Sequence, residues 1–284
     1  MSQPKDVEAD LVFWRRLESQ RMEVDFTKMA PEKCMAAMIE PDDVRTVHIQ
    51  DIRGKETQYN LKLNGFQYVW HDMPELDGVA EQSHVENVVV PKTEALRELS
   101  LIIWSRTGAT RTVTFAHRVR CLSEDEAMLA NNRAPAHSVH SDFTPAGALK
   151  NLESVVPDVA EREELLKRRI LAINVWRPLK TVQRDPLAVC DWATLNWQED
   201  RVTNRMVLPH GWHELGKYAF RESQGWYYLS EQQPQEALIF TQFDSESEQA
   251  DEGGMTLPHT AFVVPGTETL PARESIEIKM FAFL

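Results

Sequence analysis

The second half of the chain carries a series of short apolar runs that turn residues separate. These runs are Ala172–Trp176, Leu187–Trp192, Trp226–Leu229, Ala237–Phe240, Thr260–Val264 and Ile276–Phe283. Several short apolar runs separated by turn residues are typical of the strands of a β-sandwich or barrel. The same half predicts a short strand at His137–Ser141, a turn at Thr144–Gly147, a helix over Asp158–Arg168 and a surface loop over Ser245–Gly254.

The first half of the chain predicts supporting elements. Polar and apolar residues alternate in Val44–Ile52 and in Arg111–Arg120, as expected of half-buried strands. Asn64-Gly65 predicts a hairpin turn before the aromatic run Phe66–Trp70. Two further segments complete this half: an amphipathic segment that begins near Val7 and a predicted helix over Lys92–Trp104.

Charge and cysteine content narrow the class of protein. Lys and Arg number 31 against 44 Asp and Glu, which gives a formal net charge of −13 at pH 7. Because this balance repels phosphate backbones and anionic lipid, we expect no nucleic-acid partner and no membrane partner. Cys34, Cys121 and Cys190 have no C-x-x-C spacing, and the N-terminus contains no signal-peptide hydrophobic region. These features predict a cytoplasmic protein without a disulfide framework.

One short motif suggests a metal site. In His140-Ser141-Asp142 the imidazole and the carboxylate stand at positions i and i+2, which share a face on an extended strand. A second histidine, His259, follows 117 residues after Asp142, at the start of another predicted strand. Two histidines and one carboxylate form the facial triad of non-haem iron oxygenases, which leaves coordination positions open for a co-substrate and O2.

A second pair of residues strengthens this hypothesis. Arg273-Glu274-Ser275 begins 14 residues after His259 and opens the last apolar run of the chain. On a strand, Arg273 and Ser275 share a face, so that a guanidinium group and a hydroxyl group lie side by side. Together they suit the distal carboxylate of 2-oxoglutarate, through charge-assisted hydrogen bonds.

These motifs carry a resemblance to a known family. Five stretches, Val139–Thr144, Asn174–Leu179, Gln242–Ser245, Pro258–Phe262 and Arg273–Ser275, resemble the Fe(II)/2-oxoglutarate oxygenases. More specifically, the chain resembles the fungal and bacterial hydroxylase/desaturase family related to aspergillic-acid hydroxylase, cephalosporin 7α-methoxylation protein and gibberellin desaturase. Residues before Val139 match it only loosely.

The resemblance implies a mainly β fold with flanking helices, the double-stranded β-helix (jelly roll, cupin-like). It places His140 and Asp142 on the second barrel strand, His259 on the seventh, and Arg273 and Ser275 on the eighth. We expect a single domain over residues 1–284, with scaffold strands and helices in 1–130 and the jelly-roll core with the metal site in 131–284.

The implied activity is that of a non-haem iron dioxygenase, an oxidoreductase that uses Fe(II), 2-oxoglutarate and O2 and releases succinate and CO2. The expected substrate is a small secondary metabolite or an amino-acid-derived molecule, oxidised by hydroxylation, desaturation or oxidative cyclisation. Asp142 disfavours halogenation, because iron halogenases replace this carboxylate with a small residue. Two alternatives stay open: a cupin-like iron oxidase that does not use 2-oxoglutarate, and a non-catalytic jelly-roll binding module.

Residues that bind the substrate are harder to assign. Arg177 is either paired with a buried carboxylate or a cationic anchor for a carboxylate-bearing substrate or for 2-oxoglutarate. Asn174 is out of phase with Arg177 on an unbroken strand, and it is the weaker candidate. Phe66 and Arg53 are pocket residues by the resemblance alone. A homodimer is left open.

Three other histidines are not assigned to the predicted metal centre. His137 falls on the strand face opposite to His140 and is excluded from the triad. His210 and His213 are either a second metal site or, as we favour, solvated side chains of a loop over the barrel mouth.

Overall fold

Strands dominate the computed structural model, which describes residues 5–72, 102–121, 135–246 and 255–284. The mainly β prediction is confirmed. The strands of the described residues are β1 (Val7–Trp14), β2 (Arg21–Asp25), β3 (Asp42–Asp51), β4 (Phe66–Trp70), β5 (Arg111–Cys121), β6 (His140–Ser141), β7 (Ile170–Pro178), β8 (Leu187–Cys190), β9 (Arg201–Leu208), β10 (Gly211–Tyr218), β11 (Trp226–Tyr228), β12 (Glu236–Asp244), β13 (His259–Ala261) and β14 (Glu274–Phe283).

Helices are short and flank the sheets. They are α1 (Pro31–Ile39), α2 (Leu61–Asn64), α3 (Pro145–Val155), α4 (Val159–Leu165) and α5 (Trp197–Asp200), with 3-10 turns at Glu56–Gln58 and Trp192–Thr194. Residues 102–107 are also helical, whereas most of the helix predicted over Lys92–Trp104 and most of the loop predicted over Ser245–Gly254 lie outside the described residues. Among the helices that the structure describes, none is both long and apolar enough to cross a membrane.

The strands form two sheets. The nine-stranded sheet has the order β1-β3-β11-β8-β13-β6-β10-β9-β2, and the five-stranded sheet has the order β4-β12-β7-β14-β5. Strands from residues 1–130 therefore form the edges of both sheets, and strands from residues 131–284 form their centres, so the predicted scaffold flanks the predicted core. The single-domain organisation itself stays a prediction.

Apolar side chains cover both faces of the five-stranded sheet. One core cluster lies between the two sheets and includes Phe13 and Val189 from the larger sheet and Trp176 and Phe240 from the smaller one. A second cluster covers the other face of the smaller sheet. Every residue of β7 is buried as a result. Polar side chains on this sheet must therefore find partners inside the protein, because an unpaired buried polar group is costly.

Three local predictions need correction. The segment predicted as a turn at Thr144–Gly147 begins helix α3, because the Thr144 side chain accepts from the Gly147 N–H and Pro145 occupies the first turn. Asn64-Gly65 ends helix α2 and is not a hairpin turn: Gly65, at φ +81°, donates its N–H to the Leu61 carbonyl. The segment His210–His213, predicted as a loop, forms the tip of the β9–β10 hairpin and the start of β10.

Candidate active site

The predicted metal ligands meet where three strands of the larger sheet come together. His140 lies on the two-residue strand β6, between Lys217 on β10 and His259 on β13. Asp142 follows β6 directly. One ligand atom from each of His140, Asp142 and His259 lies within 4.8 Å of the others. In the part of the chain that the structure describes, this is the one such group of three side chains.

Both imidazoles are oriented by backbone carbonyls. His140 Nδ1 lies 2.8 Å from the Ser138 carbonyl oxygen, and His259 Nδ1 lies 3.3 Å from the Leu257 carbonyl oxygen. A ring that donates through Nδ1 presents Nε2 as a lone-pair donor to a metal. Burial lowers the pKa of both imidazoles, and for His140 the neighbouring His259 adds to this effect. Neutral imidazole is the form that binds a metal.

The Asp142 carboxylate is held from the opposite sheet. Lys279 Nζ lies 2.8 Å from its Oδ1, and Asn174 Nδ2 donates to its Oδ2 over 3.3 Å. The Asp142 backbone N–H donates to Gln242 Oε1 over 2.6 Å. Burial alone would raise the pKa of the Asp142 carboxyl, but Lys279 and the two imidazoles outweigh it, so this pKa lies below its ordinary value. Asp142 is thus charged at neutral pH.

Two irregularities of the smaller sheet occur beside these contacts. The pairing of β12 with β7 shifts between Thr241 and Phe243, which makes Gln242 an extra residue in its strand. The pairing of β14 with β5 shifts between Lys279 and Met280, where the extra residue is Phe115 of β5. A β-bulge changes the direction of a side chain and is frequent next to active sites. The bulge in β12 thus lies at Gln242, which accepts from the Asp142 backbone N–H, whereas Lys279 reaches Asp142 from a strand that pairs regularly with β7.

A small cavity extends from the two histidines toward β14. Its wall includes His140, His259, Trp176, Phe240 and Arg273. The Phe240 ring lies 4.9 Å from the His259 ring, and the Arg273 guanidinium lies 5.2 Å from the centre of the Trp176 ring. The aromatic side chains therefore form an apolar wall that orients one imidazole and one guanidinium.

Arg273 lines the same cavity as the two histidines, and Ser275 follows two residues after it. Arg273 Nη1 donates to the Asp185 carbonyl over 2.6 Å, and burial, with Arg120 nearby, lowers the pKa of Arg273 to about 10. Ser275 lies between Arg273 and Glu277 on the same face of β14, and both of these line the cavity. Within the described residues, the buried Arg273 Nε and Ser275 Oγ have no hydrogen-bond partner.

The predicted substrate residues are not brought to this cavity. Arg177 lies on the strand face opposite to Trp176, and its Nη1 donates to the His71 carbonyl over 2.9 Å. Arg53 forms an ion pair with Glu236. Phe66 packs in the core between the sheets, with its ring 5.3 Å from that of Tyr59. Their role in substrate binding stays a prediction.

The other histidines also lie apart from the triad. His137 Nε2 is 3.8 Å from Asp185 Oδ1, which agrees with its exclusion from the metal centre. His210 and His213 line a surface groove between the β9–β10 hairpin and helix α3.

Three residues at the site were missed or ranked too low from the sequence. Asn174 was the weaker candidate beside Arg177, yet the alternation that turns Trp176 inward also turns Asn174 inward. Lys279 continues the alternation that starts at Arg273 and Ser275, so the same pattern could have found it. Gln242 could not be found this way, because a bulge sets its direction.

The side chains fit an iron ion and a dicarboxylate. Two imidazoles and one carboxylate are the mixed nitrogen and oxygen ligands that non-haem Fe(II) uses. Arg273 Nε and the Ser275 hydroxyl, which are buried and lack partners among the described residues, suit a carboxylate, since a buried polar group without a partner costs about 1–3 kcal/mol.

Comparisons with known proteins agree with this chemistry. A family model described as "YDMC: Oxidoreductase/YMDC permease-like domain" matches residues 11–283. The hydroxylase/desaturase efuI of Hormonema carpetanum is 32% identical over 262 residues, which cover 85% of this chain and 84% of that protein. The alpha-ketoglutarate-dependent dioxygenase phiK of a fungal species (strain ATCC 74256) is 29% identical over 247 residues, which cover 84% of this chain and 83% of that protein.

A solved structure gives the same result at the level of the fold. The iron and alpha-ketoglutarate-dependent endoperoxidase NvfI superimposes with a TM-score of 0.79 at 25% sequence identity, and the match covers 100% of this chain and 99% of that one. The jelly-roll prediction is thereby confirmed. The chain belongs to this oxidoreductase family and is an Fe(II)/2-oxoglutarate-dependent dioxygenase of the hydroxylase/desaturase group, an enzyme that uses Fe(II), 2-oxoglutarate and O2.

Proposed function

We propose that His140, Asp142 and His259 bind the Fe(II) of this dioxygenase, and that Arg273 and Ser275 bind the distal carboxylate of 2-oxoglutarate. The observation that carries the proposal is the small cavity that extends from the two histidines to Arg273. Arg273 Nε and Ser275 Oγ are buried beside it and lack partners among the described residues.

Each residue has a defined task in this proposal. Bound Fe(II), with 2-oxoglutarate and O2, supplies the oxidising power, and succinate and CO2 are the co-products. His140 and His259 present Nε2 because their Nδ1 atoms face backbone carbonyls. Arg273 neutralises one carboxylate of the co-substrate, and Ser275 donates a hydrogen bond to it. Phe240 and Trp176 exclude water from the space between these two ends.

The substrate is a small molecule, as the family indicates. We propose that it is a secondary metabolite or an amino-acid-derived molecule, and that it bears a carboxylate. Whether hydrogen abstraction ends in hydroxylation, desaturation or ring closure depends on the placement of the substrate carbon at the metal.

We also propose a cytoplasmic location and a homodimer, and light scattering of the purified protein checks the oligomeric state.

Anaerobic titration tests the site assignment. Fe(II) and then 2-oxoglutarate are added to the purified protein, and the expected result is a visible charge-transfer band that saturates with 2-oxoglutarate. His259→Ala should abolish the band, whereas His210→Ala, a histidine exposed in the β9–β10 turn, should retain it. If correctly folded wild type gives no band, or if His259→Ala retains it, the proposal is wrong.

A second measurement separates this activity from a cupin-like iron oxidase that uses the substrate's own electrons. Under air, the Fe(II)-loaded protein should release one succinate for each 2-oxoglutarate consumed. Release of succinate also argues against a non-catalytic binding module.

A further inference from the structure

Lys279 contacts the carboxylate that the proposed function assigns to iron. Its Nζ lies 2.8 Å from Asp142 Oδ1, and neither side chain is more than 16% exposed. Lys279 shares a face of β14 with Arg273 and Ser275, so one strand reaches both ends of the site. Across the sheet, Lys279 pairs with Asn174 of β7, the other residue that donates to this carboxylate.

This contact works against metal affinity. A lysine ammonium is a point charge, and it repels a divalent cation that binds the same carboxylate. An ion pair that only stabilised the fold would be better placed elsewhere, because here it competes with the metal. The contact therefore needs a role that offsets this loss of affinity.

The geometry of the carboxylate suggests that role. A carboxylate binds a metal through one oxygen or through both. Lys279 occupies Oδ1, whereas Oδ2 receives only the longer 3.3 Å hydrogen bond from Asn174. The Gln242 side chain fixes the Asp142 backbone, which limits rotation of the carboxylate toward a symmetrical position. One oxygen is therefore kept from the metal and one is available.

The number of ligand atoms matters for this reaction. Two imidazoles and one carboxylate oxygen fill three positions of an octahedral ion and leave three others open. 2-Oxoglutarate needs two of these and O2 needs the third. If both carboxylate oxygens bound the metal, only two positions would remain, and the co-substrate and O2 would compete for them.

We propose that Lys279 is a positioning residue that holds Asp142 as a one-oxygen ligand and so preserves a coordination position for the co-substrate and O2. This inference rests on the proposed function, because it takes Asp142 to be a metal ligand. It adds a residue outside the predicted ligand set.

Two titrations of Lys279→Met test the inference. Methionine keeps much of the volume of lysine but removes the charge and the donor. In the first, Fe(II)-loaded protein is titrated anaerobically with 2-oxoglutarate, and the dissociation constant is read from the charge-transfer band. In the second, Mn(II) replaces iron, and water-proton relaxation reports how many exchangeable waters the bound ion retains.

Lys217→Met is the matched control. Lys217 is a second partly buried lysine near the site, with its Nζ 2.7 Å from Ser138 Oγ, and it stands opposite His140 on β10. This variant removes a positive charge close to the metal centre and leaves the Lys279–Asp142 contact in place. It therefore separates the loss of charge from the release of Asp142.

The expected results have opposite signs, which a merely structural role would not produce. Lys279→Met should bind Mn(II) at least as tightly as wild type, retain fewer exchangeable waters, and bind 2-oxoglutarate at least tenfold more weakly. Lys217→Met should bind 2-oxoglutarate within threefold of wild type. Lys279→Arg, which keeps charge and donor, should restore both wild-type readings.

Any one of three results in folded Lys279→Met would contradict the inference. They are an unchanged number of exchangeable waters, a dissociation constant for 2-oxoglutarate within threefold of wild type, and an Mn(II) affinity that falls together with the 2-oxoglutarate affinity. If Lys279→Met does not fold, Lys279→Ala is judged by the same criteria. Failure of the proposed function looks different, because wild type itself would then show no charge-transfer band.

Discussion

The two sheets contribute to the active site in different ways. The nine-stranded sheet supplies all three proposed ligands from very short elements, because β6 has two residues and β13 has three. The five-stranded sheet supplies Ser275, Asn174, Gln242 and Lys279 from long, mostly buried strands, and Arg273 directly precedes β14. The proposed metal ligands thus lie on or beside short strands, whereas the residues that hold Asp142 or face the co-substrate lie on or beside long ones.

One sheet therefore carries the proposed ligands, and the other sheet holds the Asp142 carboxylate in place. Ligand strands that pair over one to three residues have little rigidity of their own. Contacts from the opposite sheet, such as those that hold the Asp142 carboxylate and its backbone N–H, supply the orientation instead. Substitutions in the larger sheet should therefore mainly affect turnover, and substitutions in the smaller sheet should mainly affect the affinity for 2-oxoglutarate.

The largest effect is expected from the nine-stranded sheet. His140→Ala removes a proposed ligand, so turnover of 2-oxoglutarate should fall on the order of a thousandfold, a loss of about 4 kcal/mol of transition-state stabilisation. The free energy of unfolding of the metal-free protein should change little, because β6 makes few pairings. Succinate release and chemical denaturation measure the two quantities. Full turnover in His140→Ala would remove this residue from the ligand set.

The next effect is expected from the five-stranded sheet and concerns co-substrate affinity. Arg273→Leu should weaken binding of 2-oxoglutarate about a hundredfold, within the range of about 2–5 kcal/mol for the loss of one partner from a buried charged pair. Arg177→Leu is the control, because Arg177 is equally buried but points to the other face of its strand. It should leave the affinity unchanged. An equal loss in both variants would contradict the assignment.

A pH titration compares lysines on the two sheets. Burial, only partly offset by Asp42, lowers the pKa of Lys217 to about 8, whereas Lys279 contacts a carboxylate. Between about pH 8 and the ordinary lysine pKa, the unfolded chain holds a proton that the folded chain has lost, so stability rises with pH. Lys217→Met should therefore exceed wild type in stability by roughly 1–3 kcal/mol at pH 7.

That difference should shrink as the pH rises above 8, and denaturation curves at several pH values would measure it. A difference that stays constant between pH 7 and pH 10 would show that the charge of Lys217 does not cause it.

The smallest effect is expected for Ser275. Ser275→Ala should weaken 2-oxoglutarate binding about fivefold, in line with about 1 kcal/mol for one hydrogen bond. The metal-free protein should be as stable as wild type or slightly more stable, because the buried Ser275 hydroxyl has no partner among the described residues. Calorimetry with and without 2-oxoglutarate measures both changes. Lower stability without ligand would mean that Ser275 has a structural partner.

Regular strand alternation determines which residues of the site could be predicted from the sequence. Strand periodicity was sufficient to pair His140 with Asp142 and Arg273 with Ser275, whereas His259 was joined to them by the ligand chemistry of iron and by the family resemblance. Gln242 was out of reach, because one extra residue in β12 reverses its direction. Asn174 was ranked below Arg177 because charge was weighed above strand phase. The hairpin of β9 and β10 was missed because polar residues occur along both strands.

The seam between β6 and β13 has a consequence for local opening. His259 and His140 are the one residue pair that joins these two strands. In the free protein, this seam should therefore open more readily than the long ladders of the smaller sheet. An ion held by both His140 and His259 would bind only the closed form and would therefore stabilise it by mass action. Amide hydrogen exchange at His140, Ser141 and Thr260 should then slow on loading with Mn(II), while exchange in β7 stays as slow as before.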